Sequence, residues 1–317
     1  MEVVFTKARF SHRMFAFMVD LFLMIVMSLL LILASRQLVG LTPFYQNAVN
    51  GIKDVQIASH LYTQKENGDT IILCDYYVPE SEEDCQTYNV NLNKALEDFY
   101  KDSSFFDQTD PESGIALYIK QRLDTGYFIY TDDSHTDVAP KSDILASTIY
   151  KTYSKLMKED ALSYMAKNTL YIESTRTINL SFILLILVTP IALSVIIFEY
   201  IIPLCLRRGR KTIGKLLFKL GVVDVQGLSP SFWRFTARFL LFLFVEVICS
   251  VAFFIPLIVS MTMFTVSKLG QSFHDYVTNT YVVNCESSRI FMNKEEYLKA
   301  HEDAESFELK AEDVDLH

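Results

Sequence analysis

Two carboxylates stand where carboxylates are costly. Asp20 interrupts the apolar run Met14–Ala34, and Glu246 lies inside the run Phe235–Val266. An ionised side chain at the centre of a bilayer costs on the order of 3 kcal/mol unless it is paired, hydrated or protonated. Two chemistries suit such groups: a path for protons or small cations, and interhelical hydrogen bonding that holds a bundle together. Arg13 precedes Asp20 by seven residues, on nearly the same helix face. The axial gap is about 10 Å, too long for a direct ion pair. Asp20 is therefore expected to meet a partner from another element, with Arg238 and His274 as candidates. Arg238 precedes Glu246 by eight residues, again on a similar face, and Glu199 lies nearer the end of the middle apolar run.

Other chemistries are poorly served. Asp132, Asp133, His135 and Asp137 cluster in a short polar stretch that lacks the spacing and glycine of a calcium loop, so it reads as a solvated turn. The stretch Gly209–Lys215 copies the start of a phosphate-binding loop. Leu216 stands where the magnesium-binding Ser or Thr belongs, and an apolar helix precedes the stretch in place of a buried strand. It reads as an interfacial segment, with Ile213, Leu216, Leu217 and Leu220 toward lipid and Lys215 and Lys219 toward headgroups. Cys74 and Cys85 allow either a disulfide or two buried thiols. Cys205, Cys249 and Cys285 lack metal-ligand spacing. No nucleophile–base pair, metal set or cofactor motif emerges, so the expectation is a non-enzyme without cofactor or metal. The basic residues are few and flank apolar runs, which argues against nucleic-acid binding.

The elements that must position these groups follow from hydropathy. Half of the 317 residues are hydrophobic and mean hydropathy is +0.21, an excess concentrated in Met14–Ala34, Ile178–Leu206 and Phe235–Val266. Each run can cross a hydrocarbon layer about 30 Å thick. The first run is too long for a signal peptide and lacks a small-x-small cleavage site, so it reads as an uncleaved anchor. The third is long for one crossing and short for two, which suggests a hairpin bent at Pro256. The fold class expected is an α-helical integral membrane protein with three hydrophobic blocks, the third a bent hairpin, and an inserted extracytoplasmic α+β domain.

Lys7, Arg9 and Arg13 precede the first run, and Arg207, Arg208, Arg210, Lys211, Lys215 and Lys219 follow the second. The positive-inside rule then puts both flanks in the cytoplasm and the intervening segment outside a plasma membrane. The entire net charge of −9 falls between Arg36 and Arg176, as expected of a solvated domain surface. The boundaries expected are a cytoplasmic N-terminus and first helix (1–36), an extracytoplasmic domain (37–175) and a second helix (176–206). A basic interfacial segment (207–234), the third block (235–268), a closing segment (269–286) and a charged tail (287–317) complete the chain. In the outer domain, Val55–Tyr62, Thr70–Val78 and Gly126–Thr131 read as strands, and Leu92–Tyr100 and Ile144–Thr169 as helices. Pro79–Asp84 and Thr131–Asp137 read as loops. The short β-type runs Val222–Gly227 and Thr280–Asn284 satisfy their backbone groups best by pairing, which needs both on one side and favours a cytoplasmic C-terminus.

These residues form a set. Arg13, Ala16 and Asp20, then Thr212, Gly214, Lys215, Val222, Val223, Asp224 and Gly227, then Arg234 and Arg238, and finally His274, Asp275, Thr280, Val282 and Val283 resemble the RDD family of membrane proteins. That family is named for one arginine and two aspartates. By the resemblance, Arg13, Asp20 and Asp275 are the naming residues, over residues 7–36 and 177–284, with residues 37–175 as a departure from the short loop of compact members. The resemblance implies transport of undefined ligands and, for some members, sodium/proton exchange.

The functional set is thus Arg13, Asp20, Arg238, Glu246, His274 and Asp275. Two functions stay open. One is transport of a small ion or proton through the intramembrane carboxylates. The other is a binding, assembly or sensor role for the outer domain. The partners expected are the bilayer, anionic headgroups near Arg207, Arg208, Arg210 and Lys211, a second copy of the chain, and an envelope protein.

Overall fold

The computed structural model describes residues 6, 8–110, 112–132, 135, 137–249, 254–267, 270–286 and 289–300. The chain divides into two compact units, one formed by Met1–Arg36 with Ile186–His317 and the other by Gln37–Leu185. Helix α1, Phe10–Gly40, has no proline and no glycine before its last residue. Its 31 residues extend about 46 Å, more than a hydrocarbon layer requires. Only 17% of its most apolar window is buried, and Phe15, Phe22, Leu29 and Leu33 are exposed. A core helix of a water-soluble protein hides such residues, so this surface calls for lipid.

Residues 37–185 begin with α2, Pro43–Ala58, whose first turn holds a proline where no helical hydrogen bond is lost. Strands β1 (Tyr62–Gln64) and β2 (Thr70–Ile72) pair antiparallel with Tyr62 opposite Ile72. Helix α3 (Leu73–Tyr76) follows at once, and α4 (Glu82–Lys101) opens on a capping box between Ser81 and Asp84. Then come α5 (Gly114–Asp124), the hairpin β3 (Phe128–Tyr130) with β4 (Val138–Pro140), and α6 (Ala146–Lys155). A π-helical stretch, Leu156–Ala161, carries α6 on to Leu162–Met165. Leu92, Leu96, Phe99, Tyr100, Tyr118 and Met157 make a fully buried core, with the Tyr100 and Tyr118 rings stacked at 5.0 Å.

This unit is more helical than its β-branched runs suggest. Val55–Ala58 belongs to α2, not to a strand. Ala48, Gly51 and Val55 recur at helical spacing and are buried, so packing overrides local propensity. The expected strand over Thr70–Val78 ends at Ile72. The expected loop Pro79–Asp84 already contains the first turn of α4. Cys74 and Cys85 are separate, buried free thiols, so the disulfide alternative is not realised; Cys74 belongs to the apolar core. Burial pushes the Cys74 thiol up, which slows its alkylation. Alkylation of the denatured, non-reduced protein should label every one of the five cysteines by intact mass; a species two labels short would restore the disulfide.

Helix α7, Thr169–Cys205, is the second long apolar helix, with 22% of its window buried. It starts before the expected residue 176, because Asn168 caps it by accepting from the Leu170 and Tyr171 N–H groups. Pro190 and Pro203 lie inside it, and π-helical stretches precede them at Ser181–Val188 and Ile197–Ile201. A proline ring and its missing N–H disrupt the ordinary ladder, and a widened turn accommodates both. The Ser194 hydroxyl donates to the Met24 carbonyl at 2.8 Å, tying α7 to α1.

Beyond Cys205 lie α8 (Ile213–Leu217), β5 (Leu220–Asp224) and α9 (Phe232–Leu241), the last running on through the π stretch Phe242–Ile248. Helices α10 (Ile255–Val266) and α11 (Phe273–Val277) and strand β6 (Thr280–Asn284) follow. Strands β5 and β6 pair antiparallel, with Val222 opposite Val282, as backbone satisfaction required. The outer edges are covered too: the Asn284 N–H donates to the Thr6 carbonyl and the Val222 N–H to the Gly209 carbonyl. Leu216 and Leu217 are exposed as expected, but Leu220 is buried in β5 and does not face lipid. The third block is divided: α10 starts after Phe254, in the left-handed region, with Pro256 in its first turn. Its 12 residues extend about 18 Å, too short to cross a bilayer. Residues 250–253, just before the expected bend at Pro256, and 301–317, most of the expected tail, lie outside the described residues.

A buried arginine–carboxylate cluster

The membrane unit gathers its charges at two places. At the first, the Asp20 carboxylate takes the Gly214 N–H at 2.7 Å and the Thr212 hydroxyl. Thr212 is also the N-cap of α8, accepting from the Lys215 N–H. A helix start has unpaired N–H groups and suits an anion, so the first turn of α8 receives Asp20. The expected partners Arg238 and His274 do not. Gly214 makes the contact possible: a Cβ built there would lie 2.0 Å from the Ala16 carbonyl oxygen and 2.8 Å from the Asp20 carboxylate.

The second place centres on Asp275, which is 1% exposed. One carboxylate oxygen takes Arg238 Nε at 2.8 Å and the Thr280 hydroxyl at 3.1 Å. The other takes the Ser272 hydroxyl at 2.9 Å and Arg13 Nη2 at 3.3 Å. Burial raises the Asp275 carboxyl, but Arg238, His274 and Arg13 outweigh it and hold the group well below the usual carboxylate range. Arg13 also donates to the Gly270 carbonyl and lies 4.3 Å over the Phe264 ring.

Arg238 extends the network. Its Nη2 lies 3.0 Å from His274 Nε2. A guanidinium can only donate, so Nε2 accepts and Nδ1 carries the imidazole proton. That Nδ1 faces Glu246 Oε1 at 2.7 Å, and the His274 backbone N–H donates to the same oxygen at 3.2 Å. Glu246, on the π stretch after α9, is 7% exposed. The run from Arg13 through Asp275, Arg238 and His274 to Glu246 is continuous. It joins residues more than 250 positions apart in sequence.

All six expected site residues therefore have buried polar contacts, but they form two groups: Asp20 with the Thr212–Gly214 turn, and the other five together. Sequence reasoning missed Ser272 and named Thr280 only in the family resemblance, without a role; both complete the shell around Asp275. The signal for Ser272 was a hydroxyl residue three positions before the aspartate. Among the expected headgroup cations, Arg210 is engaged internally, donating to the Leu204 and Pro230 carbonyls. Arg208 pairs with Glu296 at 2.8 Å. Lys215 is half-buried. Burial lowers its ammonium below the ordinary lysine range, against the pull of nearby Glu199. No group of three metal-ligating side chains assembles among the described residues, and Asp133 lies outside them.

Two long apolar helices and a buried, internally neutralised charge network define an α-helical membrane protein with a polar core. Residues 144–279 match the RDD family, which is a membrane family. No curated protein and no solved structure matches the chain. The matched stretch contains Arg238, Glu246, His274 and Asp275; Arg13 and Asp20 on α1 precede it.

Proposed function

We propose that the membrane unit transports a small monovalent cation or proton across a plasma membrane, and that the Glu246–His274 pair is where the proton is exchanged. The supporting observation is that the acids differ in their partners. Asp275 is neutralised by two arginine guanidiniums, which only donate, and Asp20 accepts from a hydroxyl and a backbone N–H. Both are suited to holding charge in place. Glu246 is held by the His274 Nδ1 at 2.7 Å, closer than the 3.6 Å between Asp275 and Nε2, and an imidazole can take up or release a proton at either ring nitrogen. A proton added to that pair forces a rearrangement: an imidazolium at His274 would present Nε2–H to Arg238, donor against donor, and that contact would open.

In this reading the basic flanks face the cytoplasm, residues 37–185 lie outside, and two or more copies surround the path, because so few helices enclose little space. Glu246→Gln keeps an acceptor for His274 and removes the titrating acid. Proton-coupled cation flux into proteoliposomes should fall to the level of empty vesicles while the melting temperature stays within a few degrees. Flux equal to wild type in E246Q would refute the assignment. A second reading, recognition of an envelope partner by residues 37–185, is supported by the separate core of that unit and by its exposed Tyr127, Ile129 and Tyr130.

A further inference from the structure

We propose that the end of the membrane unit where α1 begins carries a docking surface for anionic phospholipid. Carboxylates of the carboxy-terminal segment hold its cations in the structure, and lipid phosphates replace them. The apolar half of the surface continues the lipid-facing wall of α1. The Phe218 ring lies 6.1 Å from that of Phe15 and 6.2 Å from that of His12, and Phe15 is exposed on α1. Leu216 and Leu217, the last residues of α8, are exposed just before Phe218. The hydrocarbon boundary therefore runs along α8, and Lys219, exposed and two residues past Leu217, stands where headgroups begin.

The charged half is occupied from within the chain. Lys219 pairs with Glu286 at 2.7 Å and Arg208 with Glu296 at 2.8 Å. Arg289 lies 4.0 Å from the same Glu296. All three cations are more than half exposed, so these pairs are weak in water and exchange partners readily. A carboxylate and a phosphodiester ask the same of Lys and Arg, which is N–H donors aimed at anionic oxygens. Other contacts anchor the segment. Ile290 is buried in a slot made by two glycines, where a Cβ on either Gly209 or Gly221 would meet its Cδ1. The Ser229 N–H donates to the Phe291 carbonyl at 2.8 Å, and Tyr297 packs edge-on against the Phe291 ring. Glu286 and Glu296 lie on either side of this anchor, so both can release their cations while Ile290 stays seated. Anionic headgroups attract the freed cations and zwitterionic ones do not, so the surface selects phosphatidylglycerol over phosphatidylcholine.

The test is the melting temperature of the full chain in neutral detergent, titrated with phosphatidylglycerol and separately with phosphatidylcholine. A lipid that binds the folded state raises the transition as its site fills. Phosphatidylglycerol should raise it by several degrees and phosphatidylcholine by much less. Glu286→Gln with Glu296→Gln removes the internal competitors and should lower the half-saturating phosphatidylglycerol concentration about tenfold. Arg208→Gln with Lys219→Gln should abolish the preference for phosphatidylglycerol. Arg208→Lys with Lys219→Arg keeps both charges and should retain it, which separates loss of the site from damage to the fold. Glycerol phosphate, an anion without acyl chains, should give no shift. The proposal is overturned if wild type does not distinguish the two lipids, or if the preference survives in R208Q/K219Q. It is equally overturned if E286Q/E296Q keeps the wild-type half-saturation, or if glycerol phosphate matches the lipid, which would make this a site for soluble anions.

Discussion

Asp275→Ala should leave the membrane unit largely unfolded in detergent. The change removes the carboxylate that pairs with both Arg13 and Arg238, whose side chains are 11% and 10% exposed, and strands two guanidinium groups without it. Breaking a buried pair from one side costs about 3–5 kcal/mol, because the survivor stays desolvated and unpaired. Here two survivors remain, and Ser272 and Thr280 lose their acceptor as well. Thermal unfolding followed by tryptophan fluorescence or size-exclusion should show a transition lowered by ten degrees or more, or no recoverable monodisperse protein. Arg13→Leu should be milder: Asp275 keeps Arg238 at 2.8 Å, whereas the Arg13 contact is 3.3 Å. Equal stability of D275A and wild type would mean the cluster is not formed.

Gly214→Ala should be the most damaging single-methyl change in the chain. The added Cβ meets the Ala16 carbonyl oxygen at 2.0 Å, and that oxygen is backbone, so no rotamer relieves the clash. Either α8 withdraws from α1 or the backbone of α1 shifts. In both cases the Gly214 N–H leaves Asp20, a buried carboxylate that then lacks half its donors. Overpacking alone costs about 1–3 kcal/mol, and the lost charge-assisted bond adds about 1.5–3 kcal/mol. The measurement is the same melting transition, with Ala16→Gly as a diagnostic. Since the obstruction is the Ala16 carbonyl and not its methyl, A16G must fail to rescue G214A. Rescue would show that the close approach has been misplaced.

Much of this architecture was legible because the responsible physics is local. The runs Met14–Ala34 and Ile178–Leu206 are apolar beyond what any soluble core helix needs, and α1 and α7 contain them. The β-type runs around Val222 and Val282 each carry unpaired backbone groups, and their pairing followed from that requirement. In residues 37–185, local signals misled. Val55 is β-branched but sits at helical spacing from Ala48 and Gly51, and the packing of that face decided the matter.

The sequence by itself determined that charges lie within or beside long apolar runs, and hence that Asp20, Glu246, Arg238 and His274 need partners. Only the tertiary structure decided which partners. A hydropathy pattern carries the cost of desolvating a charge but no information on which distant segment returns to meet it. So Asp20 meets a helix start on α8 in place of an arginine, both arginines converge on Asp275, and His274 turns its protonated nitrogen to Glu246. Those choices depend on directions fixed by the β5–β6 pairing, a contact between residues far apart along the chain.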